Sequence, residues 1–128
     1  MSHYLLDTHT AIWYFTSDER LSNTAKQIIV NSYNPIYLSM TSIWELAIKI
    51  GLGKMQFTGK TAGFVHSAEE DNFIILPIKT SHIFTLETLP IIHRDPFDRL
   101  LIATAIAEGM TLITTDENIG KYDVPKIW

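Results

Sequence analysis

The sequence predicts an α/β protein in three layers, a central parallel sheet with helices on both faces. Short apolar runs of β character alternate along the chain with longer stretches of helical pattern, which is how repeated βαβ units read. The length, 128 residues with 46% hydrophobic and 19% charged, suits one compact core. No internal repeat, low-complexity tract or Gly/Ser/Pro linker divides it, so a single domain over residues 1–128 is expected.

The elements follow in order. Tyr4-Leu5-Leu6 is the first strand, ending at Asp7. Ala11 to Thr16 and Asn23 to Ser32 read as helices, with Ser22 as the N-cap of the second. Ile36 to Ser39 is a strand set off by Asn34-Pro35, and Ile43 to Ile50 is a helix closed by Gly51-Leu52-Gly53. Thr61 to Asp71 is helical and leads into the strand Phe73 to Leu76; Ser81 to Thr88 is a weaker helical stretch. Pro96 to Glu108 is the sharpest helix, with Asp95 as N-cap, Pro96 at the first helical position and Gly109 as its stop. Thr111 to Thr114 is the next strand, and Val124 to Ile127 is a last one.

Charge and composition remove several functional classes. Ten Lys and Arg against 14 Asp and Glu give a net charge of −4, which argues against broad phosphate neutralisation as the way of binding nucleic acid. An enzyme whose acids hold cations is not excluded, because the cations then present positive charge to a phosphate. The absence of cysteine excludes disulfides and thiolate metal sites and fits a reducing compartment. No apolar run approaches the roughly 20 residues of a membrane span. The first residues, Met1 to Asp7, lack the basic start of a signal segment. The expectation is a cytoplasmic protein with no membrane association.

In open parallel sheets, ligands bind at the carboxyl ends of the strands near the point where strand order reverses. Asp7 and Asp116 stand at such ends, and each has an ordinary reading as a cap or Asx-turn acid. Glu45, three residues after Ser42, fits a capping box. Asp98 falls in the first turn after the Asp95 cap, where the helix dipole alone would favour it. Four such acids in one small α/β chain form a more telling pattern than any one of them. Gathered together they repel, which raises pKa values and destabilises the fold unless a cation intervenes. Mg²⁺ or Mn²⁺ suits an all-oxygen donor set.

Leu-Leu-Asp-Thr-His from Leu5, Ser-Ile-Trp-Glu-Leu-Ala-Ile-Lys from Ser42, His-Arg-Asp-Pro-Phe-Asp-Arg-Leu-Leu-Ile-Ala from His93, and Leu-Ile-Thr-Thr-Asp from Leu112 occur in that order. The order resembles the PIN-domain nucleases over Tyr4 to Trp128, and within them the VapC-type toxins of bacterial toxin–antitoxin pairs. The block from His93 to Ala103 is the most specific piece. The resemblance implies a PIN-like fold and a metal-dependent endoribonuclease. Asp7, Glu45, Asp98 and Asp116 would be its catalytic acids, with Asp7, Asp98 and Asp116 holding Mg²⁺ or Mn²⁺ and Thr115 supplying a hydroxyl beside the last. It implies hydrolysis of RNA by a metal-activated water, leaving a 5′-phosphate and a 3′-hydroxyl. It further implies a cognate antitoxin and a homodimer.

Lys49, Arg94 and Arg99 are candidates for substrate phosphate, although Lys49, four residues after Glu45, is placed to pair with it. His9 and His93 lie beside the site segments, and without a partner they read as helix-start or surface histidines. Ile12, Trp13, Phe15 and Trp44 read as core. Wherever they prove exposed, they would form a groove for an antitoxin segment. Two other aspartate chemistries fail on the residues. A receiver needs adjacent acids after the first strand, and a haloacid-type phosphatase needs Asp-x-Asp; here Asp7 is followed by Thr8 and His9. The alternative of another class is an inactive PIN fold serving as a binding scaffold.

Overall fold

The structure, a computed structural model, describes residues 2–128. Five strands, β1 (Tyr4–Leu6), β2 (Ile36–Ser39), β3 (Ile74–Leu76), β4 (Thr111–Ile113) and β5 (Lys126–Ile127), form one sheet in the order β3-β2-β1-β4-β5. Every neighbouring pair is parallel. The helices are α1 (Thr8–Phe15), α2 (Asn23–Val30), α3 (Met40–Gly51), α4 (Lys60–Glu70), α5 (Thr80–Thr88), α6 (Pro96–Glu108) and α7 (Glu117–Gly120). The chain builds outward from β1 to β3, then returns to lay β4 on the other side of β1. The reversal leaves a crevice at the carboxyl ends of β1 and β4, where such sheets place their ligands.

Side chains alternate across the pleat, so each strand serves both layers. Leu5 pairs in register with Leu112, and both pack with Leu101, Ile102, Ala105 and Ile119 from α6 and α7. Leu6 pairs with Ile113, and both face the opposite layer, where Ala11, Ile29, Leu46 and Phe64 bring α1 to α4 onto the sheet. These four strand residues are fully buried, each worth about 1.5–3 kcal/mol relative to exposure. α5 packs on α6 at the rim.

The helix starts differ from the expectation in ways that matter for the site. α1 begins at Thr8 instead of Ala11, because Asp7 leaves β1 as its N-cap. α3 begins at Met40 and not Ile43: Ser39, the last residue of β2, is the cap, accepting from the Thr41 amide. Asp116 caps a short α7 between β4 and β5. α6 spans Pro96–Glu108 as expected, and Gly109 ends it with φ 67°, a conformation open to glycine. Among the described residues, no helix is long and apolar enough to cross a membrane.

Candidate active site

Asp7 and Thr114 continue the β1–β4 register one step beyond Leu6 and Ile113, and therefore share a face. The Thr114 hydroxyl donates to Asp7 Oδ2 at 2.6 Å, while Oδ1 accepts the His9 amide at 2.7 Å as the α1 cap. Burial pushes the Asp7 carboxyl up, and these two donors oppose that shift without cancelling it. The hydroxyl beside the site thus comes from Thr114, where the sequence reading put Thr115. Thr115 is exposed and lines an adjoining depression with Trp13, Arg20 and Asp116.

Asp95 takes the cap duty of α6, its Oδ1 accepting the amides of Phe97 and Asp98 at 2.9 and 3.0 Å. Asp98 is thereby free of capping, and its Oδ2 lies 3.1 Å from His93 Nε2. Its carboxyl is pushed up to about 7, first by desolvation and then by Asp95, Asp116, Asp7 and Glu45. Asp116 caps α7 through Oδ1, which accepts from Asn118 and Ile119 at 2.8 and 3.0 Å. Among the described residues, no protein donor reaches the second oxygen of Asp95 or of Asp116.

Glu45 is not folded back on Ser42 as a capping box would require. With α3 starting three residues earlier it lies in the second turn, 3% exposed, and meets Thr8 and Lys49. The Thr8 hydroxyl is 2.6 Å from Glu45 Oε1 and 2.8 Å from Ser42 Oγ. Having a single proton, it donates to the carboxylate and accepts from the serine. Lys49 Nζ donates to the other Glu45 oxygen.

Asp7, Glu45, Asp95, Asp98 and Asp116, from four separate segments, line one cleft of about 240 Å³ together with His9, Lys49, His93 and Asn118. Among the described residues, Lys49 is its one permanent cation, and it is already paired. A larger groove of about 330 Å³ lies at the opposite, amino end of β2 and β3, between Tyr14, Asn31, Asn72 and Phe73. Volume does not choose between them; the convergence of hard oxygen donors at the strand-order reversal does.

The candidate arginines separate. Arg99 is outside the cleft, because its Nη1 donates to Pro90 O and Tyr122 Oη at 2.8 and 3.0 Å. Arg94 is exposed and also outside the cleft lining. Arg20, which the sequence reading passed over, lies 4.8 Å over the Trp13 ring at the depression beside Asp7 and Asp116, held by Asp18 at 2.8 Å. The sequence offered no signal for it beyond an Asp-x-Arg spacing. Phe15 packs edge to face on Phe57 and Phe64, in the core. Trp44 is 48% exposed, with its edge against Phe97.

A sheet of this order with carboxylates gathered at its switch point defines a class, and comparison with known proteins gives it a family. The PIN domain family model matches residues 4–125, and the chain belongs to that family. More particularly, it is similar to Ribonuclease VapC22 of Mycobacterium tuberculosis (strain ATCC 25618 / H37Rv), with 30% identity over 127 residues, 98% of this chain and 96% of the relative. The crystal structure of VapBC2 from Rickettsia felis, bound to a DNA fragment from their promoter, matches with TM-score 0.74 at 18% identity over 98% of both chains. FitAcB from Neisseria gonorrhoeae matches with TM-score 0.65 at 20% identity, over 98% of this chain and 96% of that one. At these identities the two structures establish the shared fold.

Proposed function

We propose that this protein is an endoribonuclease, the toxin of a toxin–antitoxin pair, which hydrolyses RNA phosphodiester bonds with Mg²⁺ or Mn²⁺ held by Asp7, Asp98 and Asp116. The observation that carries the reading is the shared cleft: five carboxylates in a PIN-family chain, faced by one lysine. The donor set fits a hard divalent cation, being oxygen throughout with free oxygens on Asp98 and Asp116. Desolvation first and the neighbouring carboxylates after it raise the Asp98 carboxyl, a cost that a bound cation would relieve. When bound, such a cation supplies positive charge to the scissile phosphate and lowers the pKa of a water.

The chain's own residues divide the remaining work. Thr114 and the His9 amide fix Asp7, and the α7 amides fix Asp116. Glu45, itself held by Thr8, keeps the Lys49 ammonium at the cleft to meet a phosphate oxygen. Thr115 and Arg20 border the path of the RNA on the Trp13 side, and the exposed Arg94 is left to meet a phosphate outside the cleft. The antitoxin lays apolar residues against Trp13 and brings a cationic side chain to the acids. A second copy of the chain covers the exposed α3 stripe of Met40, Trp44, Ile48 and Leu52, which repeats at four-residue spacing on one helix face.

Asp98→Asn tests the reading, because it keeps shape and removes one charge. RNA cleavage should fall by about 10² or more, the scale of losing one electrostatic partner of a transition state. Stability in EDTA should hold or rise as repulsion falls. Mg²⁺ should raise the melting temperature of the wild type more than that of the variant. A variant less stable in EDTA that cleaves at the wild-type rate would make Asp98 only a helix-start acid, and the scaffold reading would take over.

A further inference from the structure

Each acid of the cleft except Asp98 is held by an internal donor from the backbone or from Thr or Lys. Asp7 has Thr114 and the His9 amide, Glu45 has Thr8 and Lys49, and Asp95 and Asp116 have the amides they cap. Among the described residues, Asp98 has His93 alone. His93 sits on the exposed loop between α5 and α6, where Ile91 and Ile92 are 80% and 48% exposed and side-chain burial anchors little. What holds the backbone of this loop is the Tyr122 phenol, joined by Arg99.

Tyr122, 3% exposed in the α6–α7 layer, places its hydroxyl 3.2 Å from the Ile92 amide and 2.9 Å from the His93 amide, accepting from both. The same hydroxyl donates to the His93 carbonyl at 3.2 Å. Arg99, one residue after Asp98, donates to that hydroxyl and to Pro90 O, tying α6 to the same loop. Packing a tyrosine ring requires none of these bonds. Together they fix the backbone of His93 from both sides.

We infer that His93 is a positioning residue: clamped by Tyr122, its ring orients the Asp98 carboxylate toward the cleft. With a cation bound Asp98 would be ionised and could only accept, so Nε2 would carry the proton and donate to Oδ2, leaving Oδ1 open. His93 does for Asp98 what Thr114 does for Asp7. Carboxylates that ligate metals are oriented by such outer partners, whose loss costs about 10–100-fold in metal affinity or activity.

The inference rests on Asp98 as a cation ligand, and the experiment separates the two claims. Mn²⁺ affinity is measured by titration calorimetry on the full chain, beside melting in EDTA and RNA cleavage. His93→Ala should weaken Mn²⁺ binding about 10–100-fold with the EDTA melting temperature close to wild type. His93→Gln, whose amide nitrogen stands near the Nε2 position, should recover most of that loss. Tyr122→Phe should weaken Mn²⁺ binding in the same direction by a smaller factor. Wild-type Mn²⁺ affinity in His93→Ala, with Asp98→Asn binding poorly, overturns the positioning role and leaves the ligand intact. Unchanged affinity in Asp98→Asn overturns the ligand itself. A glutamine variant as defective as alanine also overturns positioning, since the imidazole would then be needed for more than its N–H.

Discussion

Thr114 reaches Asp7 because β1 and β4 run in register, and a step of one residue along a strand turns a side chain to the other face. That single step is why the adjacent Thr115 is exposed and bonds nothing in the cleft. The consequence is a sharp pair of variants. Thr114→Val keeps shape and removes the donor from a buried carboxylate, so it should cost about 1–3 kcal/mol. Cleavage should drop on the order of tenfold or more, as for other partners that orient ligands. Thr115→Val should stay within about 0.5 kcal/mol of wild type, as surface changes do. Urea denaturation and a cleavage assay measure both; equal behaviour of the two valines would mean the register does not matter to the site. At this scale the acids were legible, because Asp7 and Asp116 end apolar runs and Asp98 follows an Asp-Pro helix start. His93 was not. Its meaning depends on Tyr122, 29 residues further along, and no local pattern announces a phenol that closes on a distant loop.

Helix starts do double duty in this fold. α1, α6 and α7 are capped by Asp7, Asp95 and Asp116, so three amino ends meet at the cleft and offset part of its negative charge through their dipoles. The α6 start was readable from Asp95-Pro96 and its end from Gly109. The α3 start was not, because Ser39 and Ser42 are both good caps and only the end of β2 decides between them. Gly63 in α4 was equally silent: a Cβ there would stand 2.1 Å from the Thr58 carbonyl, a crowding made by the turn that enters α4. The α5–α6 pair carries a second polar connection away from the site. His82, 1% exposed, accepts the Lys79 amide at Nδ1 and meets Glu108 at 2.6 Å through Nε2. His82 holds the Glu108 carboxyl below its ordinary value of 4.5; partial burial opposes this and Lys79, 3.1 Å away, adds to it. The sign follows from linkage. With the folded value depressed, the contribution is full above the ordinary value and is lost as pH falls through the folded one. Glu108→Gln should therefore melt below wild type at neutral pH, and the gap should close as pH falls below the ordinary 4.5 and through the depressed folded value. A gap that keeps its size across that range would assign the effect to packing and not to charge.

The molecule as a whole carries −4, and five of its carboxylates surround the cleft proposed to receive RNA. Lys49 is tied to Glu45, Arg20 to Asp18, and Arg99 to Tyr122, so few cations near the cleft are free to meet phosphates. A nuclease bound through a basic surface would hold RNA without metal and lose it steeply with salt, the slope being about −0.7 per phosphate on a single strand. Here the acids should repel RNA until a divalent cation reverses the local sign. At fixed ionic strength, fluorescence anisotropy of a short labelled RNA should give a Kd at least about tenfold weaker in EDTA than with millimolar Mg²⁺. The anisotropy in Mg²⁺ is read before cleavage sets in, as followed on a denaturing gel. In EDTA the salt slope should be shallow, about −0.7 to −1.4, corresponding to one or two phosphate contacts. Asp98→Asn should gain less from Mg²⁺, which separates a cation held in the cleft from general screening. Tight binding in EDTA with a slope steeper than about −3 would place the RNA on a basic surface elsewhere. The acid cleft would then have no part in receiving it.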